Sequence, residues 1–194
     1  SNSMITKFYR QVRLAYNIAD EKGIIEYNFM NSRDMKCPKS DKQDKKVRGL
    51  TPEEQKALVE YLLNNDPPFG RNDYRLQLFI ELYSGMRMGE INALKEEDID
   101  FEKEVVHVRN TITRGMDYEA KLKTGTKTYN GIRDVPISNK LKPYLEEAIR
   151  KKKPNKEDLL FYDYVTDTVI NTSQVNDYYQ RVCAKINLPP NGQH

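Results

Sequence analysis

The sequence predicts an α+β fold, mainly α, with one small three-stranded antiparallel sheet. Apolar residues recur at helical spacing in several long stretches on both sides of a single β-branched run, "VVHVRNTI" at 105–112. After that run, "YEAKLKTGTKTYNGIRDVPIS" reads as two further strands around a Thr-Gly turn or a longer hairpin loop. No internal repeat interrupts this order, which sets repeat architectures aside.

Taken from the N-terminus, residues 5–22 read as a helix with Ile5, Phe8, Val12, Ala15 and Ala19 on one face, stopped at Gly23. A single helix cannot bury such a face alone, so 1–30 reads as the last piece of a domain. The run from Asn31 to Arg48 is lysine-rich and almost without apolar residues, which predicts a basic linker over 31–49. The main domain, 50–194, then starts sharply. Thr51-Pro52-Glu53-Glu54 is a capping box with proline at the first helical position, and Leu58, Val59, Leu62 and Leu63 supply that helix's apolar face. "NNDPPFGRND" breaks the pattern, and a second helix runs from about Tyr74 to Tyr83 with Leu76, Phe79, Ile80 and Tyr83 inward. Ile91 and Leu94 mark a short helix after a Ser-Gly turn. Two helices close the chain, "NKLKPYLEEAIRKKK" and "TSQVNDYYQRVCAKIN", the latter with Tyr178 and Tyr179 on its apolar face.

Composition narrows the classes. With 38% hydrophobic and 31% charged residues in 194, a core is possible beneath a heavily charged surface. No apolar run reaches the length of a bilayer span and the N-terminus has no signal-peptide pattern, so a cytoplasmic protein with no membrane partner is expected. Cys37 and Cys183 are the only cysteines and form no pairing motif, and with only His107 and His194 beside them a structural zinc site is not expected. The formal net charge is +3, but its distribution is uneven. From Met30 to Leu50 there are seven basic residues against three acidic, and from Arg109 to Arg133 six against two. Six acidic residues between Glu96 and Glu104 mask these patches in the total. Such patches suit a phosphate backbone, and they also suit solvated loops.

The stretch "YSGMRMGEINAL" (83–94) places Arg87 between Gly85 and Gly89, with Met86 and Met88 beside it, at the opening of a helix. A guanidinium there can project into a groove, next to the partial positive charge of a helix N-terminus. A plain surface pair of Arg87 with Glu90 fits the same spacing.

The residues also resemble a family. "SGMRMGEINALKEEDIDFEKEVVHV" is similar to the first arginine box of the tyrosine recombinases, the phage integrase family. "KLKTG" followed by "RDVPIS" resembles that family's lysine-bearing strand and hairpin. "AYNIADEKGIIEYNFM" resembles the end of its core-binding domain, "LTPEEQKALVEYL" the start of its catalytic domain, and "NLPPNGQH" the approach to its His-x-x-Arg box. The landmarks occur in the family's order and come nearest to integrases of mobile elements in Gram-positive bacteria.

The resemblance implies a site-specific recombinase that cleaves DNA with a tyrosine, holds a 3′-phosphotyrosyl link and rejoins strands, with no metal or organic cofactor. Arg87 would clamp the scissile phosphate and Glu90 would orient it. Lys123 would protonate the leaving 5′ oxygen, with Lys121 and Lys127 as rivals, and His194 would be the box histidine. Lys45, Lys46, Arg48, Lys121, Lys127 and Arg133 are the expected contacts to DNA. The partner would be double-stranded DNA at attachment sites, with self-association on it. The second arginine and the nucleophilic tyrosine would lie beyond His194, so that this stretch alone is expected to be inactive. A non-catalytic DNA-binding module of the same fold, or a helical adaptor using the 139–153 helix, are the alternatives.

Overall fold

A computed structural model describes residues 2–40, 48–65, 73–115, 119–125 and 132–189. Lys45, Lys46, Lys127 and His194 lie outside the described residues. The chain divides into two compact units, Ser1–Arg48 and Gly49–His194.

The first unit is built on α1 (Asn2–Glu21). Gly23 ends it in the left-handed region at φ +62°, where the Gly23 N–H reaches the Asp20 carbonyl and the Ile24 N–H the Ala19 carbonyl. Part of the stretch read as a linker folds back along this helix: Tyr9 Oη donates to the Met35 carbonyl at 2.8 Å, and the Ser40 N–H to Asn2 Oδ1 at 2.8 Å. No residue of α1 is buried, and Phe8, expected on its inward face, is 72% exposed.

The second unit carries the core. The Thr51 capping box forms as its sequence dictates: Thr51 Oγ1 accepts from the Glu54 N–H at 3.3 Å and Glu54 Oε2 from the Thr51 N–H at 2.8 Å, opening α2 (Pro52–Asn64). The helices α3 (Arg75–Ser84), α4 (Met88–Ile91), α5 (Lys142–Lys151) and α6 (Thr172–Lys185) pack with a three-stranded antiparallel sheet. Its strands are β1 (Ile99–Asp100), β2 (Val105–Val108) and β5 (Arg133–Pro136), in the order β1-β2-β5. Ile80, Ile91, Leu94, Val106, Leu141, Leu145, Val175 and Val182 form the fully buried centre. The mainly helical α+β class with one three-stranded antiparallel sheet is therefore what the chain adopts.

The strands divide differently from the alternation in the sequence. The run at 105–112 is not one strand but two, broken at Arg109. Val105–Val108 belongs to the core sheet, whereas β3 (Asn110–Arg114) turns away to pair with β4 (Ala120–Thr124) in a separate two-stranded ribbon. The physical reason is that two apolar clusters compete for the run: Val106 and Val108 join the main core, while Ile112 joins Ala93, Leu159 and Tyr162. A second small hairpin, β6 (Tyr162–Asp163) with β7 (Thr168–Val169), precedes α6. His107 is structural, its Nδ1 lying 2.6 Å from Asp134 Oδ1 across the β2–β5 pair.

The α2 face is narrower than its sequence suggests, because Leu62 is 2% exposed and Leu63 58%. Leu62→Ala is expected to cost about 2–5 kcal/mol through lost burial and a cavity, and Leu63→Ala less than about 0.5 kcal/mol. Urea denaturation of the two variants checks this, and equal costs would show that Leu63 packs in solution.

Candidate active site

The turn that presents Arg87 follows from its neighbours. Gly85 ends α3 at φ +65°, a left-handed conformation that a side chain would oppose. The chain then runs extended through Arg87, at φ −71° and ψ 146°, so successive side chains point to opposite sides. Met86 and Met88 are buried and Arg87 between them is left 73% exposed. The methionines anchor the turn and the alternation delivers the guanidinium outward.

Glu90, one helical turn on, is the electrostatic centre. It is 4% exposed, and each of its oxygens accepts twice. Oε1 accepts from Arg87 Nη1 and from Arg133 Nη1, both at 2.9 Å. Oε2 accepts from the Arg87 backbone N–H at 2.9 Å and from Arg133 Nη2 at 2.7 Å. Burial raises the carboxyl's pKa, but the hydrogen bonds from Arg133 and from Arg87 outweigh it and hold the group below its ordinary value. The hydrogen bond to Glu90 raises the Arg133 pKa in return. Glu90 thus holds one terminal nitrogen of Arg87, whose side chain stays largely open to solvent.

Gly89 fixes what lies opposite. A Cβ at this position would sit 2.8 Å from the Ile112 carbonyl oxygen and 2.8 Å from Thr111 Oγ1, with Thr172 Cγ2 at 3.7 Å. Only hydrogen lets α4 approach β3 this closely. Thr111 is paired with Lys123 across the ribbon, whereas Ile112 and Leu122, also paired, belong to the apolar cluster beneath. Directly opposed residues of an antiparallel pair share a face. Lys123 therefore leaves the ribbon on the side of Thr111, the residue that meets the arginine turn. Lys121 shares that side but pairs with Thr113, two residues and roughly 6.8 Å further along. Lys123 is exposed, and its ammonium makes no hydrogen bond or ion pair among the described residues.

The structure brings together Arg87, Glu90 and Arg133, and sets the Lys123 register beside them. Arg48 and Lys121 are exposed. Arg133, expected to touch DNA, spends both terminal nitrogens on Glu90, a contact across 43 residues that no local spacing announces. The close approach at Gly89 also went unread, though a glycine within a helical pattern signals a packing reason. Tyr178 and Tyr179 are buried in α6, where loss of solvent raises both hydroxyl pKa values above the ordinary phenol range. No group of acidic, histidine or cysteine side chains that could hold a metal ion occurs among the described residues, and no helix among them is long and apolar enough to cross a membrane.

With the fold and this arginine-centred cluster described, comparison with known proteins places the chain in one family. The pattern of the Phage integrase family matches residues 48–194, and the chain belongs to that family. It is 29% identical over 159 residues to the prophage ps2 probable integrase of Lactococcus lactis, covering 78% of this chain and 40% of that protein. It is 28% identical over 167 residues to a XerC-like tyrosine recombinase of Caldanaerobacter subterraneus, covering 80% of this chain and 40% of the relative. The chain thus spans well under half the length of these relatives. Among solved structures it matches the Tn1549 transposon integrase in complex with a circular intermediate DNA, at a TM-score of 0.77 and 18% identity, over 96% of this chain and 59% of that one. The same integrase with transposon right end DNA gives 0.76 and 19%, over 97% and 61%. At that identity the likeness is one of fold.

Gly89→Ala is expected to destabilise the second unit by about 1–3 kcal/mol, since one of the clashing atoms is a backbone oxygen that must move with its strand. Urea denaturation reads the cost, and a variant as stable as the parent would show that the approach of α4 to β3 is looser than 2.8 Å implies.

Proposed function

We propose that the protein to which this chain belongs is a site-specific DNA recombinase that cleaves and rejoins strands through a 3′-phosphotyrosyl intermediate. The observation that carries this reading is the exposed Arg87 guanidinium, oriented by a buried carboxylate and faced by the Lys123 side of the ribbon. A phosphodiester under attack gathers charge on its non-bridging oxygens, and a fixed guanidinium stabilises that charge without reorganising. Arg87 is the clamp, and Lys123 is the general acid to the leaving 5′ oxygen, its proton transfer favoured by the neighbouring cations. The nucleophile is a tyrosine C-terminal to His194 in the full-length protein. This fits the burial of Tyr178 and Tyr179, whose raised pKa values oppose formation of a phenolate. His194 joins the phosphate site. The substrate is double-stranded DNA at attachment sites, bound by several copies together. Arg48, Lys45, Lys46, Lys121 and Lys127 supply backbone contacts. The similarity to a prophage probable integrase and to a XerC-like tyrosine recombinase supports this assignment.

A nicked duplex that traps the covalent intermediate tests it. The full-length protein is expected to give a protein–DNA band on a denaturing gel. Arg87→Ala should cut its rate of formation by about 10²–10³ while leaving thermal stability nearly unchanged, and Arg87→Lys should rescue poorly because it lacks the planar fork. DNA binding without any covalent band in the full-length protein would instead make it a non-catalytic binding module.

The role of Lys123 has its own measurement. A 5′-bridging sulfur leaves without needing a proton, so Lys123→Ala should be slow on ordinary DNA and near the parent rate on the sulfur substrate. Equal defects on both would assign Lys123 to binding alone, and rescue of Lys121→Ala instead would move the acid two residues along the strand.

A further inference from the structure

We infer that Arg133 is a positioning residue for Arg87, acting through Glu90, and not a contact to DNA phosphate. The inference rests on the recombinase reading for its chemistry but on the structure for its geometry. Arg87 by itself is poorly held. Its side chain is 73% exposed and reaches Glu90 with a single terminal nitrogen, in an i,i+3 pair of the sort that contributes about 0.2–0.5 kcal/mol on an open helix surface. Such a pair samples several rotamers. What makes this one different is that the acceptor cannot turn. Arg133 grips both Glu90 oxygens with a two-pronged fork at 2.9 and 2.7 Å, the geometry in which a guanidinium fixes the plane of a carboxylate.

The grip is itself anchored. Arg133 is the first residue of β5 and pairs with Val108, which is 1% exposed in the core sheet. The carboxylate plane is therefore tied to the core sheet, and Arg87 takes its direction from there. Arg133's side chain is 32% exposed against 73% for Arg87, and its two terminal nitrogens face inward to Glu90.

There is also a charge consequence. Were Arg87 the sole partner of Glu90, the carboxylate would cancel most of the field that a bound phosphate feels. With Arg133 supplying the second positive charge, Glu90 is neutralised from within, and the outward guanidinium keeps its charge for the phosphate.

Two families of measurement test this in the full-length protein. In single-turnover cleavage at saturating DNA, Arg133→Gln is expected to slow strand cleavage by roughly 10–100-fold, and to add no further loss in a Glu90→Gln background, since both changes break the same link. The slope of log affinity against log salt should stay at the parent value. A fall of that slope by about 0.9, with cleavage at saturation intact, would make Arg133 a phosphate contact and overturn the inference. So would equal losses in the Glu90 and Glu90→Gln backgrounds. If Arg133→Gln does not fold, Arg133→Lys, which keeps the charge and loses the fork, carries the same readouts and the same expectations at smaller size.

The second measurement needs no cleavage. The guanidinium NMR signals of Arg87 are expected to be sharp and slowly exchanging in the parent, and to broaden or vanish when Arg133 is replaced. Unchanged signals would overturn the inference. If the parent protein makes no covalent complex, the recombinase reading falls and this second measurement alone decides whether Arg133 positions Arg87.

Discussion

A carboxylate removed from water is stable only when every lone pair finds a donor, and Glu90 meets that condition with four hydrogen bonds from two arginines. The demand of this one group organises the site. It closes the start of α4 by accepting the Arg87 N–H, it draws the leading end of β5 up to the helix through Arg133, and it leaves an exposed guanidinium pointing away from the core. Two guanidinium charges face one carboxylate, so the cluster carries an excess positive charge outward. Helix start, sheet corner and outward-pointing cation are three consequences of satisfying one buried acid.

The ribbon that carries Lys123 is seated by different forces. Ala93, Ile112, Leu159 and Tyr162 form an apolar cluster apart from the main core, with Ala120, Leu122 and Val169 against it. The ribbon's grip on the domain is thus local, and it depends on a handful of side chains together with the backbone bond from the Gly125 N–H to the Arg109 carbonyl at 3.1 Å. The arginine turn is part of the large core through Met86, Met88 and Ile91. A cation rooted in the main core and a lysine on a separately packed ribbon are thus carried by two elements that meet closely at Gly89.

Much of this was legible from residue order because the signals are local. The capping box at Thr51 and Glu54 needs only three intervening bonds along the chain, and it formed. The setting of Arg87 in a turn at a helix start suggests a guanidinium projecting outward, and its side chain is 73% exposed. Tyr178 and Tyr179 sit in the core as their helical spacing requires. What could not be read are outcomes of competition between distant partners. Val108 and Ile112 belong to one β-branched run, and only the placement of two apolar clusters divides it at Arg109. Leu63 has the same chemistry as Leu62, and only the packing of the main core decides which is covered. Arg133 stands in a basic stretch that suits DNA, while the acid that claims it lies 43 residues away.

The contact at Gly89 has a consequence for how such a protein can diverge. Of the two atoms that a methyl there would meet at 2.8 Å, Thr111 Oγ1 belongs to a side chain and the Ile112 oxygen to the main chain. A lineage can exchange a threonine for something smaller, but no substitution removes a carbonyl. Co-variation at 111 can thus relieve only half of the conflict, and the other half is indifferent to sequence. The spacing between arginine and lysine is stored as a missing atom opposite an uneditable one, so drift elsewhere on the ribbon leaves it untouched.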